Sequence, residues 1–175
     1  PKPVWRATRS VSTPAEARQV VDSLAREGVD FIKVYGALPR DIFLAVADEV
    51  ARHRLTFAGH LSTFVSLEDA ASAGQRSIEH ANAFQRYQYD STLWSELTAR
   101  EARPPFPAAE RAAYMRRIHA TFDTASLDAV ARILVRHSTW IDPTLVQLRG
   151  FYLPPDTTAD GRMRLRYVPP AVHRE

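Results

Sequence analysis

Three short segments decide the fold of this chain: VDFIKVY at residues 29–35, FAGHL at residues 57–61 and SIEHA at residues 77–81. Each is a short apolar run of the kind that forms a buried β-strand. The segments between them carry apolar residues at helical spacing, so the order is strand, helix, strand, helix, strand. This order predicts parallel strands joined by helical crossovers, which defines an α/β fold.

Each of these strands carries one chemically competent side chain near its C-terminal end, namely Lys33, His60 or His80. In parallel sheets and α/β barrels, functional groups gather where the strands end. The three side chains are therefore predicted to form one shared site.

Lys33 is unusual because 21 of the 23 basic residues of this chain are arginines and only Lys2 and Lys33 are lysines. Unlike an arginine, a buried lysine can lose its proton and react. Strand alternation places Tyr35 on the face of Lys33, where it is a candidate substrate contact. The intervening residues are aliphatic, which predicts a strand buried on both faces.

Composition excludes several classes of protein. The hydrophobic fraction of 45% and the charged fraction of 25% are ordinary for a soluble globular protein. No apolar run approaches a membrane span, and the absence of cysteine excludes disulfides and thiolate ligands. The chain is basic, with a net charge of +3, but its arginines are scattered and do not predict nucleic-acid binding. We expect a soluble protein, either cytoplasmic or secreted after loss of an N-terminal signal.

The rest of the sequence predicts a partial barrel in a single domain spanning residues 1–175. A fourth strand is predicted at 139–146, after a helical insertion at about 84–124 that would shape the substrate pocket. The tail at 149–175 contains four prolines and is predicted to be weakly structured. A complete eight-stranded α/β barrel takes about 250 residues, so four strands indicate part of a (β/α)8 barrel of the TIM type.

Two kinds of chemistry fit the three side chains. Neutral imidazoles on neighbouring strand ends can bind a divalent ion such as zinc or manganese. A lysine ammonium cannot ligate a metal, but a lysine that has reacted with carbon dioxide carries a carbamate able to bridge two ions. Alternatively, Lys33 forms a Schiff base with the histidines as acid–base partners, as in lyases and aldolases that need no metal.

The motifs DFIKVY at 30–35, AGH at 58–60 and AGQRSIEH at 73–80 resemble the amidohydrolase superfamily, particularly its imidazolonepropionase- and prolidase-related branch. TWIDPTLV at 139–146 resembles the strand that follows in that branch. The resemblance covers about residues 13–146 and implies strands four to seven of the (β/α)8 barrel.

The resemblance also implies an activity, which is hydrolysis of carbon–nitrogen bonds in amides or cyclic amides by a metal-bound hydroxide. Lys33 would be a carboxylated ligand that bridges two ions, and His60 and His80 would bind metal. The substrate would be a small molecule or a dipeptide-like compound, and neither nucleic acid nor a membrane is expected as a partner.

Two parts of the family pattern are missing from the sequence. It contains no His-x-His pair, which the family carries on its first strand, and nothing after Val146 resembles the last strand with its metal-binding aspartate. We therefore assign no catalytic residue and expect these 175 residues to be inactive alone. The non-catalytic alternative is a half barrel that forms a homo-oligomer through its exposed strand edges.

Other polar residues are predicted to be structural. Glu79 should face away from His80, since neighbours in a strand point to opposite sides. Asp142 precedes a proline and predicts a bend. Three histidines in helical segments are predicted to be solvated: His53, His119 and His137.

Overall fold

The computed structural model describes residues 8–146, except for the side chain of Asn82. The chain divides into two compact units, Pro1–Pro143 and Thr144–Glu175. The strands and helices given below all belong to the first unit. The tail predicted at 149–175 lies outside the described residues. Within residues 8–146, no helix is long and apolar enough to cross a membrane.

Helices and strands alternate along most of the first unit, as parallel crossovers require. The strands are β1 (Phe31–Val34), β2 (Thr56–His60), β3 (Gln75–Glu79) and β4 (Trp140–Asp142). The helices are α1 (Pro14–Arg26), α2 (Arg40–Arg52), α3 (Leu67–Ser72), α4 (Gln85–Gln88), α5 (Ser91–Glu101), α6 (Ala108–His119) and α7 (Thr124–His137). A 3-10 turn, Ala81–Phe84, follows β3.

The four strands pair in parallel, and their order in the sheet is their order along the chain. Right-handed crossovers between sequential neighbours all fall on one side of a sheet. The core agrees with this winding, because the buried strand residues pack with buried residues of α1, α2, α3 and α7. These strand residues are Ile32, Val34, Phe57 and Ile78. The predicted α/β class is therefore confirmed, and the sheet is consistent with part of an α/β barrel.

The opposite face of the sheet has no helical layer within residues 8–146. Ile32 and Val34 of β1 are buried, but the alternating residues Phe31 and Lys33 are exposed, with 51% of Phe31 accessible. The prediction that this strand is buried on both faces is therefore wrong. The reason is the winding, which brings every packed crossover helix to the same side.

Local interactions set both limits of α1. Thr13 Oγ1 accepts the Glu16 N–H at 3.1 Å, and the Glu16 carboxylate accepts the Ser12 N–H at 2.7 Å. This reciprocal arrangement satisfies two backbone donors at the helix start. At the other end, Gly28 adopts φ +81°, a left-handed conformation that glycine takes without steric cost.

The region between β3 and α7 is helical, and β4 is shorter than the strand predicted at 139–146. Within the helical region, the Arg100 guanidinium donates to both Glu110 carboxylate oxygens at 2.6 and 2.8 Å and joins α5 to α6. β4 ends at Asp142 because Pro143 has no N–H to extend the ladder. Leu145 and Val146 are helical, so that part of the strand prediction is wrong.

Gly59 of β2 lies very close to the backbone of β1. Its φ is +123°, and a Cβ atom placed on it would lie 2.2 Å from the Val34 carbonyl oxygen of β1. No carbon atom fits at that distance, so a side chain at residue 59 would have to separate β1 from β2.

We expect Gly59→Ala to lower the free energy of unfolding by more than about 3 kcal/mol, because a backbone penalty and a steric clash add. Gly74→Ala is the matched control, since Gly74 has φ +93° but nothing within 4 Å of its Cβ position. The control should cost only about 1–2 kcal/mol of backbone strain. Urea unfolding measures both losses, and equal losses would contradict the steric role of Gly59.

Candidate metal centre

The sheet register brings the polar strand-end residues to one face. Lys33 pairs with Ala58, His60 pairs with Glu79, and Glu79 pairs with Asp142. Side chains of register partners in parallel strands point to the same side. Lys33, His60 and Glu79 therefore lie together at the carboxyl ends of three adjacent strands, on the face without helices.

Lys33 and Glu79 form an ion pair that spans β2. The Lys33 Nζ atom lies 2.7 Å from Glu79 Oε2, and the two side chains are 51% and 18% exposed. The contact holds the Glu79 carboxylate beside the strand that carries His60.

The two histidines meet through their outer ring nitrogens. His60 Nε2 lies 3.0 Å from His80 Nε2, and the ring planes are inclined at 82°. Without an ion, one nitrogen must carry a hydrogen and the other must accept it. Two facing Nε2 atoms are also the arrangement in which both imidazoles can ligate one cation.

Backbone geometry at His80 explains why Glu79 joins this group. β3 ends at Glu79, and His80 adopts φ +70°, a left-handed conformation uncommon for residues with a side chain. The His80 N–H donates to the Asp142 carbonyl at 2.8 Å, which anchors the turn. Strand alternation therefore stops at Glu79, and both side chains reach the same site. The prediction that Glu79 faces away from His80 is wrong for this reason.

Tyr35 and Gly36 enclose the other side of the His60 ring. The rings of Tyr35 and His60 are stacked with centroids 4.2 Å apart. A Cβ atom on Gly36 would lie 3.3 Å from His60 Nδ1, so glycine leaves just enough room for the imidazole. The predicted substrate contact of Tyr35 remains a prediction, whereas its contact with His60 is direct.

The surroundings of His60 favour its neutral form. Burial lowers the pKa of His60 below its usual value, and the nearby His80 lowers it further. Lys33 acts in the same direction, while the Glu79 carboxylate opposes the shift. A neutral imidazole is the form that binds metal, so the site does not need to lose a proton from His60 first.

His60, Glu79 and His80 fit a divalent ion. Their ligating atoms all lie within 4.8 Å of one another. Tetrahedral zinc with Zn–N distances near 2.05 Å places two ligand nitrogens about 3.3 Å apart, close to the 3.0 Å between the two Nε2 atoms. Lys33, the third ligand predicted from sequence, contacts this group through Glu79.

Gln75 is a supporting residue that sequence reasoning missed. It is fully buried, and its side-chain amide donates to the Gly59 carbonyl at 3.0 Å and to the His60 carbonyl at 3.3 Å. The register shifts beside it, where Phe57 pairs with Gln75 and Ala58 with Ser77. The sequence does contain one signal for this role, because a glutamine begins a strand that is predicted to be buried. A buried amide needs hydrogen-bond partners.

A second support is Arg86, which holds the loop after β2. Its guanidinium donates to the carbonyls of Ser62, Thr63 and Val65, at 3.4, 3.1 and 2.6 Å. The neighbouring Tyr87 hydroxyl accepts the Leu67 N–H at 2.7 Å. The helical region after β3 thus fixes the loop that follows His60. No local sequence pattern indicates the contact of Arg86 with this loop, because the two are more than 20 positions apart in the chain.

Two of the three helical histidines, His53 and His119, are exposed as predicted, whereas His137 is half-buried. His53 also lies 2.7 Å from Asp22 and 3.6 Å from the buried carboxylate of Glu49, and these three form another group with metal-ligand spacing. His137 contacts Glu68 at 2.9 Å. Helix packing between α1 and α2, and between α3 and α7, brings the carboxylates to His53 and His137.

Comparison with solved structures gives distant matches. Bottromycin amidohydrolase is 20% identical with a TM-score of 0.43, over 77% of this chain and 39% of that one. Ochratoxinase of A. niger is 16% identical with a TM-score of 0.40, over 75% and 34%. An uncharacterized protein is 15% identical with a TM-score of 0.40, over 80% and 42%.

This chain therefore spans less than half the length of each matched structure. No protein-family model matches the sequence, and no curated protein matches it. Similarity of this degree does not assign an activity to the chain.

We expect His80→Asn to retain the fold but lose metal binding. Asparagine tolerates left-handed backbone, so the free energy of unfolding should change by less than about 1 kcal/mol. Loss of an imidazole ligand should weaken zinc binding by more than about 100-fold, since even supporting residues of metal sites contribute 10–100-fold. Urea unfolding and zinc titration measure the two effects, with His119→Asn as the control. Unchanged zinc affinity would contradict the role of His80.

Proposed function

We propose that this chain carries the metal-binding part of a hydrolase that cleaves carbon–nitrogen bonds of amides or cyclic amides. The observation that carries the proposal is the 3.0 Å approach of His60 Nε2 to His80 Nε2 at the carboxyl ends of adjacent parallel strands. The sequence resemblance to amidohydrolases around Lys33, His60 and His80 adds support. The activity of a complete enzyme would belong to a protein of which this chain spans a part.

The residues of the site have distinct roles in this proposal. A bound divalent ion, zinc or manganese, would lower the pKa of a water molecule and polarise the substrate carbonyl. His60 and His80 would hold the ion through Nε2, and Tyr35 would keep the His60 ring in place by stacking. The Glu79 carboxylate lies beside the two imidazoles, in the same group of candidate ligands.

The sequence resemblance would add a second ion and a carboxylated Lys33 to this proposal. In that form carbon dioxide would add to Nζ, and the carbamate would bridge the two ions. A carbamate would stand beside the Glu79 carboxylate, so two anions would meet where an ion pair now lies at 2.7 Å. Metal ions bound next to both groups would be needed to offset that repulsion.

The Schiff-base alternative is less well supported. A nucleophilic lysine must be neutral, and enzymes favour that form by burial or by a neighbouring cation. Lys33 is instead half exposed, and its Nζ atom lies 2.7 Å from the Glu79 carboxylate. Borohydride trapping with a carbonyl substrate would test this, and an adduct at Lys33 would restore the alternative.

Self-association is a second candidate property, favoured by exposed aromatic residues on the face without helices. Phe31 is 51% and Trp140 is 68% exposed, and both lie on the side of the sheet that carries Lys33 and Glu79. Burying such residues removes apolar surface from water. Size-exclusion chromatography with light scattering is expected to give a dimer that Phe31→Ser combined with Trp140→Ser converts to monomer. A monomeric wild-type chain would contradict this expectation.

Metal content tests the main proposal directly. After expression with zinc and bicarbonate and removal of loosely bound metal, elemental analysis is expected to give at least one zinc per chain. The double variant His60→Ala, His80→Ala should give none, because it removes both imidazole ligands. His119→Ala with His137→Ala is the matched control, since it removes two histidines that belong to neither group with metal-ligand spacing. Absence of zinc from the wild-type chain would contradict the proposal.

A further inference from the structure

Glu79 stands where a third metal ligand is needed. Its carboxylate oxygen belongs to the group whose ligating atoms all lie within 4.8 Å of one another, together with the Nε2 atoms of His60 and His80. The side chain is only 18% exposed, whereas most carboxylates outside such sites are solvated. Catalytic zinc is commonly bound by two histidines and one glutamate, with one position left open.

Lys33 is placed to hold that carboxylate. Its Nζ atom contacts Glu79 Oε2 at 2.7 Å from the far side of β2, and β1 and β3 flank β2 in fixed register. This contact supplies a charge-assisted hydrogen bond that limits the rotation of the carboxylate. The carboxylate is therefore held beside the two imidazoles by a contact that uses one of its two oxygens.

The contact between Lys33 and Glu79 opposes carboxylation of Lys33. The product would place two anions side by side, at the position where Lys33 Nζ now lies 2.7 Å from Glu79 Oε2. With Glu79 as ligand, the donors are instead two imidazoles and one carboxylate, which offer one negative charge to a divalent cation.

We propose that Glu79 is the third protein ligand of a one-ion site with His60 and His80, and that Lys33 stays unmodified as the positioning residue of Glu79. This inference rests on the proposed metal-dependent function and deepens it. It replaces the carbamate that the sequence resemblance implies with a carboxylate that the chain already provides.

Zinc titration of the whole chain tests the assignment. Glu79→Gln keeps the shape of the side chain but removes its charge, and should weaken zinc binding by more than about 100-fold. Glu79→Asp restores a carboxylate and should recover part of the affinity. Glu68→Gln is the matched control, since Glu68 also pairs with a basic residue but lies outside the site. Cobalt bound in place of zinc should show an altered visible spectrum in Glu79→Gln and an unchanged one in Glu68→Gln.

Lys33→Arg distinguishes a site in which Glu79 binds the metal from a site in which a Lys33 carbamate binds it. Arginine keeps a cation beside Glu79 but cannot form the carbamate, so zinc affinity should stay within about threefold of wild type. Zinc binding should also be equal in carbon dioxide-free buffer and in buffer with 13C-bicarbonate, with no carbamate resonance in the 13C spectrum and one zinc per chain.

The outcomes distinguish this inference from the proposed function. Zinc binding that survives Glu79→Gln, or that requires bicarbonate and is lost in Lys33→Arg, would overturn the Glu79 assignment and leave the metal-dependent function standing. A wild-type chain that binds no zinc under either condition would overturn both.

Discussion

The lack of a side chain at Gly59 lets β1 and β2 pair in the register that the site requires, because a Cβ atom there would lie 2.2 Å from the Val34 carbonyl oxygen. On the other side of β2, the buried amide of Gln75 donates to the carbonyls of Gly59 and His60. The position of the strand that carries His60 thus depends on both neighbours. A slip of one residue would turn His60 to the opposite face of the sheet, away from Glu79.

The second constraint is the left-handed backbone at His80. Regular extension of β3 would alternate its side chains, and only one of Glu79 and His80 could then face His60. The turn at φ +70° brings both to one place. Such a conformation costs free energy of order 1–3 kcal/mol at a residue with a side chain, and strain of this kind clusters at functional sites. The Asp142 carbonyl, which accepts the His80 N–H, stabilises the turn from β4.

The direction in which the chain crosses between strands determines what surrounds these side chains. Within residues 8–146, the crossover helices pack on the face of Ile32 and Ile78. On the face of Lys33, His60 and Glu79, the aromatic residues Phe31 and Trp140 are exposed. Lys33 is half exposed on the same face, at 2.7 Å from Glu79.

Local sequence patterns were enough to predict the α/β class, the order of the elements and the strand ends on which Lys33, His60 and His80 lie. These patterns are the short apolar runs and the helical spacing between them. The position of Glu79 beside His80, the exposure of Lys33 and the support from Gln75 and Arg86 follow from the three-dimensional arrangement. The pairing of distant strands and the backbone conformation at His80 govern these contacts, and no local pattern records them, because they depend on groups far apart in the chain.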